Sequence, residues 1–137
     1  MARTKFTVEV LTPEGEVFNE EVEMLSTVTT VGSIGLLANA SPVLATLEPT
    51  ELRIYRSEGD IVRFAQAEGY LQMAENRALV LVEQAVEPSK LDRAELEAQL
   101  ERSRAAAESA PADSEELARA RRDTRRAEAF LKVVSES

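Results

Sequence analysis

The feature that most constrains this chain is a change of period at Glu87-Pro88. Before it lie all five glycines (Gly15, Gly32, Gly35, Gly59 and Gly69) and every aromatic residue except Phe130. After it glycine is absent, and the strong helix formers Ala, Leu, Glu and Arg dominate. Chain-reversing residues and ring side chains therefore belong to the first part, and long regular turns of helix to the second.

In the first part Phe6, Val8 and Val10 alternate with Thr7 and Glu9, the period of a half-buried strand. Thr12-Pro13-Glu14-Gly15 then supplies a turn, with Pro fixing one φ and Gly tolerating a positive one. Alternation recurs in Glu21-Val22-Glu23-Met24, in Leu52-Arg53-Ile54-Tyr55 and in Ile61-Val62-Arg63-Phe64, the last two joined by Ser57-Glu58-Gly59-Asp60 as a hairpin. Tyr70-Leu71-Gln72-Met73 and Leu79-Val80-Leu81-Val82 predict a second hairpin about Glu75-Asn76-Arg77. Its second strand is apolar throughout, which predicts an internal position with both faces covered. Many short strands with frequent turn signals imply a sandwich or barrel.

In the second part Ser89, with Asp92 three residues on, predicts an N-cap, and Leu91, Ala94, Ala98 and Ala105 fall near one helical face. The helix should fail at Ser109-Ala110-Pro111, and Asp113 with Glu116 resembles a capping box opening a second helix. There Leu117, Ala120, Thr124, Ala127 and Leu131 follow spacings of three and four. The expected class is α+β: an N-terminal antiparallel β-sandwich over residues 1–87, then a C-terminal antiparallel αα-hairpin over 88–137, with helices about 89–109 and 114–134. At roughly 0.8 kcal/mol per buried methylene, Ala faces contribute little to docking. Either the hairpin is a moving part, marginally held on the sandwich, or tertiary packing fixes it permanently.

With no His and no Cys, the chain lacks imidazole metal ligands, thiol nucleophiles, disulfides and any Ser-His-Asp relay. Its carboxylate pairs, Glu20-Glu21 and Glu115-Glu116, stand at strand-edge and helix-start positions as solvated faces do, and no catalytic residue or metal site is expected. A net charge of -9 disfavours nucleic acid and anionic lipid as partners. No apolar run approaches the roughly 18 residues needed to cross a bilayer, and residues 1–5 run directly into a strand, so a soluble, unsecreted protein without direct membrane insertion is expected.

Two segments invite a binding role. Gly32-Ser33-Ile34-Gly35 lacks the Lys of a phosphate loop and reads as a glycine-rich turn, but it continues into Leu36-Leu37-Ala38-Asn39-Ala40-Ser41-Pro42, mixing apolar side chains with loop chemistry. Arg119, Arg121, Arg122, Arg125 and Arg126 form a basic cluster on an acidic chain. They either project guanidinium forks toward carboxylates of a partner or pair internally with Glu116, Asp123 and Glu128.

Taken in order, these features resemble the epsilon subunit family of F-type ATP synthases over nearly the whole chain. Val10-x-x-Pro13-x-Gly15-x-Val17-Phe18 is similar to the family's first hairpin, and Gly32-x-Ile34-Gly35-Leu36-Leu37 with Asn39 and Pro42 to its signature loop. Phe64-Ala65, Gly69-Tyr70-Leu71, Asn76 and residues 79–82 match its late strands. Leu91-Asp92 resembles the start of its first C-terminal helix, and Arg126-Ala127 with Leu131-x-Val133 the end of its second.

The resemblance implies a non-catalytic subunit of the rotating central stalk, peripheral on the cytoplasmic face of a bacterial cell membrane. It implies contact with the gamma subunit and the c-ring through residues 32–42. It also implies a hairpin that either folds on the sandwich or extends along gamma to the alpha/beta catalytic head, restraining ATP hydrolysis, with the five arginines meeting acidic partner surfaces. The family's loop usually continues Pro-x-His-Ala-Pro, where this chain has Ala38-Asn39-Ala40-Ser41-Pro42. Members that bind ATP use Leu-Asp-x-x-Arg on the first helix and arginines on the second. Here Leu91, Asp92 and Arg126 match, but Glu95 and Phe130 occupy the other arginine positions. A carboxylate facing a phosphate repels it, so no strong ATP binding and no cofactor are predicted, unless Arg93 substitutes from a neighbouring direction. The contrasting expectation is a freestanding β-sandwich module for a small ligand, with the hairpin as an oligomerising element; scarce aromatics count against it.

Overall fold

The computed structural model describes residues 3–136. Ten strands come first: β1 Phe6–Thr12, β2 Gly15–Val22, β3 Met24–Thr29, β4 Gly32–Leu37, β5 Val43–Leu47, β6 Thr50–Ser57, β7 Asp60–Gln66, β8 Gly69–Ala74, β9 Arg77–Val82 and β10 Ala85–Val86. A 3-10 turn at Pro88–Lys90 leads into α1 Arg93–Ser109 and α2 Glu115–Glu136. The class is the expected one, a β-sandwich followed by a helical hairpin.

The strands form one path, β10-β7-β6-β3-β5-β8-β9-β1-β2, with β4 added along β3. The link between β3 and β5 is a single pair, Thr29 opposite Leu47, so the sheet folds over there and its two wings face each other. Both wings supply the core: Phe6, Val8, Val10, Leu71 and Val80 from one, Leu25, Leu52, Ile54 and Phe64 from the other. Sixteen residues' worth of such burial, at about 25 cal/mol per Å² of apolar surface, is the main stabilising term of this part.

The open side is closed between β2 and β6. Phe18 meets Phe64 edge-on with centroids 6.3 Å apart, and Arg56 grips Glu20 through Nε (2.9 Å) and Nη2 (2.8 Å). Inside, the Thr27 hydroxyl donates to Gln66 Oε1 at 3.0 Å while Gln66 Nε2 donates to the Glu48 carbonyl at 2.8 Å. This buried amide is thus satisfied on both ends, as burial of a polar group requires. Gly69 is required for packing: a Cβ there would lie 1.9 Å from the Leu81 carbonyl oxygen.

Several expectations change. The alternation of Glu21-Val22-Glu23-Met24 is split between β2 and β3 at Glu23, whose amide donates to the Tyr55 carbonyl at 2.8 Å as the chain changes partner strands. Residues 79–82 do form a strand flanked on both edges, by β8 and β1, yet Leu81 is 42% exposed, because no second layer covers that face. The α1 N-cap is Asp92 and not Ser89: Pro88 starts a 3-10 turn, Leu91 is extended, and Asp92 Oδ1 accepts the Glu95 amide at 3.2 Å. The α2 cap is Ser114 and not Asp113, which has φ 59°; Ser114 Oγ accepts the Leu117 amide at 3.1 Å.

The hairpin packs on the β6-β7-β10 wing through its own small cluster, Leu96, Phe130 and Val133 against Ala65 and Ala67, which shares no residue with the sandwich core. On α1 the buried residues are Leu96 and Ser103, whereas Ala94 and Ala105 face outward, so the expected Ala stripe is displaced. Ala120 and Ala127 of the expected α2 stripe are buried. Between the helices Thr124 Oγ1 lies 2.9 Å from Ser103 Oγ, which reaches the Leu100 carbonyl at 3.0 Å. Small side chains at the crossing let the two helices meet at this hydroxyl pair.

Candidate partner-binding surfaces

The stretch from Gly32 to Pro42 divides into two kinds of structure. Residues up to Leu37 are strand β4, a correction of the glycine-rich turn, because Gly-Ser-Ile-Gly still alternates: Ser33 and Gly35 face outward while Leu36 is buried. The turn itself lies earlier, at Thr30-Val31, with Thr29 Oγ1 2.8 Å from the Gly32 carbonyl oxygen and Gly32 at φ 130°. β4 pairs only with β3, so its far edge carries unpaired backbone groups. Ile34, Ala38 and Ala40 pack partly against the core, while Leu37, Asn39, Ser41 and Pro42 are exposed. The apolar side chains of this stretch are thus divided between anchoring it and facing outward.

A second apolar surface was not legible as a site in the sequence. Leu44 (78% exposed), Tyr70 (58%) and Leu81 (42%) share the outer face of the wing built from β5, β8, β9 and β1. Tyr70 is directly opposite Leu81, and Leu44 is opposite Gln72, whose side chain shares Tyr70's face. The available signal was the run at 79–82, which is more apolar than a one-sided strand needs.

The five arginines do not act as one cluster. At 100° per residue, Arg121, Arg122 and Arg125 share an outward face of α2, and all three are exposed. Arg119 and Arg126 instead border a cleft of about 590 Å³ between the helices, lined also by Gln84, Arg102, Glu116 and Asp123. Arg126 turns inward to Glu68 on the β7–β8 connection, an ion pair with both side chains about a quarter exposed. Arg126 Nε and Glu68 Oε2 are buried without further partners. Of the intramolecular pairs expected for these arginines, none forms among the described residues; Glu128 instead approaches Arg104 of α1 at 3.9 Å.

The residues that bear on nucleotide binding are engaged elsewhere. Phe130 is 3% exposed in the docking cluster, and Glu95 Oε1 accepts from Arg102 at 3.2 Å. Arg53 is held more basic by its hydrogen bond to Glu51, and Arg56 by its bond to Glu20, whose carboxyl is in turn lowered by that bond. The Arg53–Glu51 pair lines a shallow cleft between the sandwich and the end of α2, and the Arg56–Glu20 pair lies on the open surface. Among the described residues no three carboxylates gather to hold a metal ion, and no helix is long and apolar enough to cross a membrane.

A small sandwich with an exposed apolar face, followed by a helical hairpin that presents three outward arginines, fits a protein-binding subunit. Residues 5–88 match the family described as ATP synthase, Delta/Epsilon chain, beta-sandwich domain. The ATP synthase epsilon chain 2 of Syntrophotalea carbinolica is 38% identical over 112 residues, 81% of this chain and 80% of the relative. The ATP synthase epsilon chain of Herpetosiphon aurantiacus is 34% identical over 130 residues, 93% of this chain and 92% of the relative. In fold, the chain is similar to one in the Euglena gracilis mitochondrial ATP synthase, OSCP/F1/c-ring in rotational state 1, with TM-score 0.82, 17% identity and coverage of 95% and 81% of the two chains. The chain belongs to the ATP synthase epsilon chain family. It is a non-catalytic subunit of the enzyme and not an enzyme in its own right.

Proposed function

We propose that this subunit sits in the central stalk at the cytoplasmic face of the membrane and couples rotation of the c-ring to the alpha/beta catalytic head. In this reading residues 1–87 are the rotor-contacting part and residues 88–137 the helical brake. The observation that carries it is the outward apolar set Leu44, Tyr70 and Leu81 on a sandwich whose core is already filled. Such a surface is stabilised by covering it with another protein. The gamma subunit takes that face and, with the c-ring, residues 32–42, where Leu37, Asn39, Ser41 and Pro42 face outward.

The hairpin supplies the second half of the reading. Arg121, Arg122 and Arg125 face solvent together, a cationic set that fits acidic surfaces of gamma and the head. Arg119 and Arg126 join that contact when the hairpin leaves the sandwich. Restraint of hydrolysis follows from the extended hairpin lying between rotor and head.

Reconstitution of an epsilon-depleted enzyme tests both halves. Leu44→Asp with Leu81→Asp should abolish stable incorporation, and removal of residues 89–137 should raise ATP hydrolysis while leaving proton pumping coupled. Full incorporation of the double Asp variant sinks the apolar-face contact. Hydrolysis unchanged by the truncation eliminates the brake and leaves the coupling role standing.

A further inference from the structure

The far end of the sandwich is organised by one side chain. Asn76 lies in the two-residue turn between β8 and β9, with φ 62°, and is half-buried. Its Oδ1 accepts the backbone N–H of Asn39 at 2.7 Å, and its Nδ2 donates to the Lys5 carbonyl at 3.2 Å. Its own carbonyl accepts the Thr7 amide at 3.2 Å. Three segments distant in sequence, the entry to β1, the segment after β4 and the β8–β9 turn, are therefore pinned at one residue.

The segment that gains most is 38–42. It leaves the β3–β4 ladder after Leu37, reverses at Asn39 with φ 63°, and reaches Pro42, which has no amide to donate. No other side-chain hydrogen bond among the described residues reaches it, although Ala38 and Ala40 add partial apolar contact. An exposed loop with so few fastenings samples many conformations, and binding such a loop costs the entropy of ordering it. One short bond to a side chain fixed on a rigid hairpin removes much of that cost beforehand.

We propose that Asn76 is a positioning residue for the rotor contact: it holds residues 38–42 in the shape that the rotor partner meets, without touching the partner through its amide. This rests on the reading of residues 32–42 as a rotor-contacting stretch. The amide group suits the task because it both accepts from Asn39 and donates to Lys5, and Asn tolerates the left-handed backbone of the turn.

Asn76→Gly keeps the positive φ and deletes both side-chain bonds, while Asn76→Asp keeps the acceptor and loses the donor. Amide hydrogen exchange at Asn39 is measured in the isolated chain, and affinity in binding to an epsilon-depleted ATP synthase. For Asn76→Gly the Asn39 amide should exchange faster and affinity should fall about tenfold, the scale of one hydrogen bond. Asn76→Asp should lie closer to the wild type in both. If Asn39 exchange is unchanged in Asn76→Gly, or if it rises while affinity holds, the proposal is overturned; equal losses for the Gly and Asp variants overturn it as well. Ser41→Arg separates the underlying reading: if it weakens binding while Asn76→Gly does not, the loop contacts the rotor and Asn76 is irrelevant. If neither variant weakens binding, the loop contact itself is wrong.

Discussion

The Arg126 guanidinium of α2 is paired with the Glu68 carboxylate of the sandwich, across 58 residues of sequence, and it is the ion pair that joins hairpin to sandwich among the described residues. Each partner also keeps one buried atom without a hydrogen bond, so removing either leaves the other charge poorly solvated. Glu68→Ala and Arg126→Ala should each weaken hairpin docking by about 1–2 kcal/mol, below the range for fully buried pairs because both side chains keep some exposure. The exchanged pair Glu68→Arg with Arg126→Glu should recover part of the loss. Protease cleavage within α2 reads the docking equilibrium, and strictly additive losses in the exchanged pair would show that the two side chains are not coupled.

Phe130 is the largest side chain in the cluster beneath the hairpin. Its replacement by Ala should cost about 3–5 kcal/mol of docking. Because none of its neighbours belongs to the sandwich core, near-ultraviolet and amide signals of β1 to β9 should persist while α2 becomes accessible. Collapse of the strand signals together with the helix would contradict the separation of the two clusters.

Gly69→Ala should be among the most damaging single changes. The added methyl runs into the Leu81–Val82 peptide of β9, 1.9 Å from Leu81 O and 2.7 Å from Val82 Cα, and backbone cannot swing away as a side chain would. A loss on the order of 3 kcal/mol is expected, in the tail that overpacking produces. A denaturation midpoint equal to that of the wild type would refute the packing there.

Glu20 predicts a modest pH dependence. Its hydrogen bond to Arg56 lowers its carboxyl below the ordinary value, so the folded state binds this proton less readily than the unfolded chain. The pair's contribution is therefore complete above the ordinary carboxylate range and is lost as pH falls through the lowered value. Glu20→Gln should narrow the stability difference between neutral and acid pH, and the two proteins should converge in acid. Parallel curves for the two would show that the pair contributes nothing, as many exposed pairs do.

Isothermal titration of the isolated chain with ATP should give no strong binding. Phe130 lies in the docking cluster, Glu95 adds negative charge where a cation would be needed, and Arg126 is already neutralised by Glu68. Micromolar affinity would reverse this, and loss of that affinity in Arg93→Ala would identify the substituting cation.

Local chemistry explains what was legible from sequence. The hairpin between β6 and β7 and that between β8 and β9 carry their own turn residues, so period and punctuation agree. β4 was hidden because its two glycines imitate a loop, and β5 because it follows Pro42 with too short a run to show a period. The face of α1 was misplaced because Ala fits inside or outside equally well, leaving Leu96 and Ser103 to decide. The arginines were visible as a group, but only tertiary structure could reveal that Arg126 is spent on Glu68 while Arg121, Arg122 and Arg125 stay free to face a partner. Likewise Leu44, Tyr70 and Leu81 come from three strands and meet only when the sheet is assembled.

The disjoint apolar clusters of sandwich and hairpin have a calorimetric consequence. A chain of this length is ordinarily expected to melt in one step. Here the hairpin can be lost at a free energy set by its own few contacts, so heating should register a weak early transition before the main one. Native-state amide exchange should sort into two populations, with α1 and α2 opening together at the lower free energy. Stability is thereby partitioned along the chain, and natural sequence changes in the last third can retune the helices without endangering the strands that precede them.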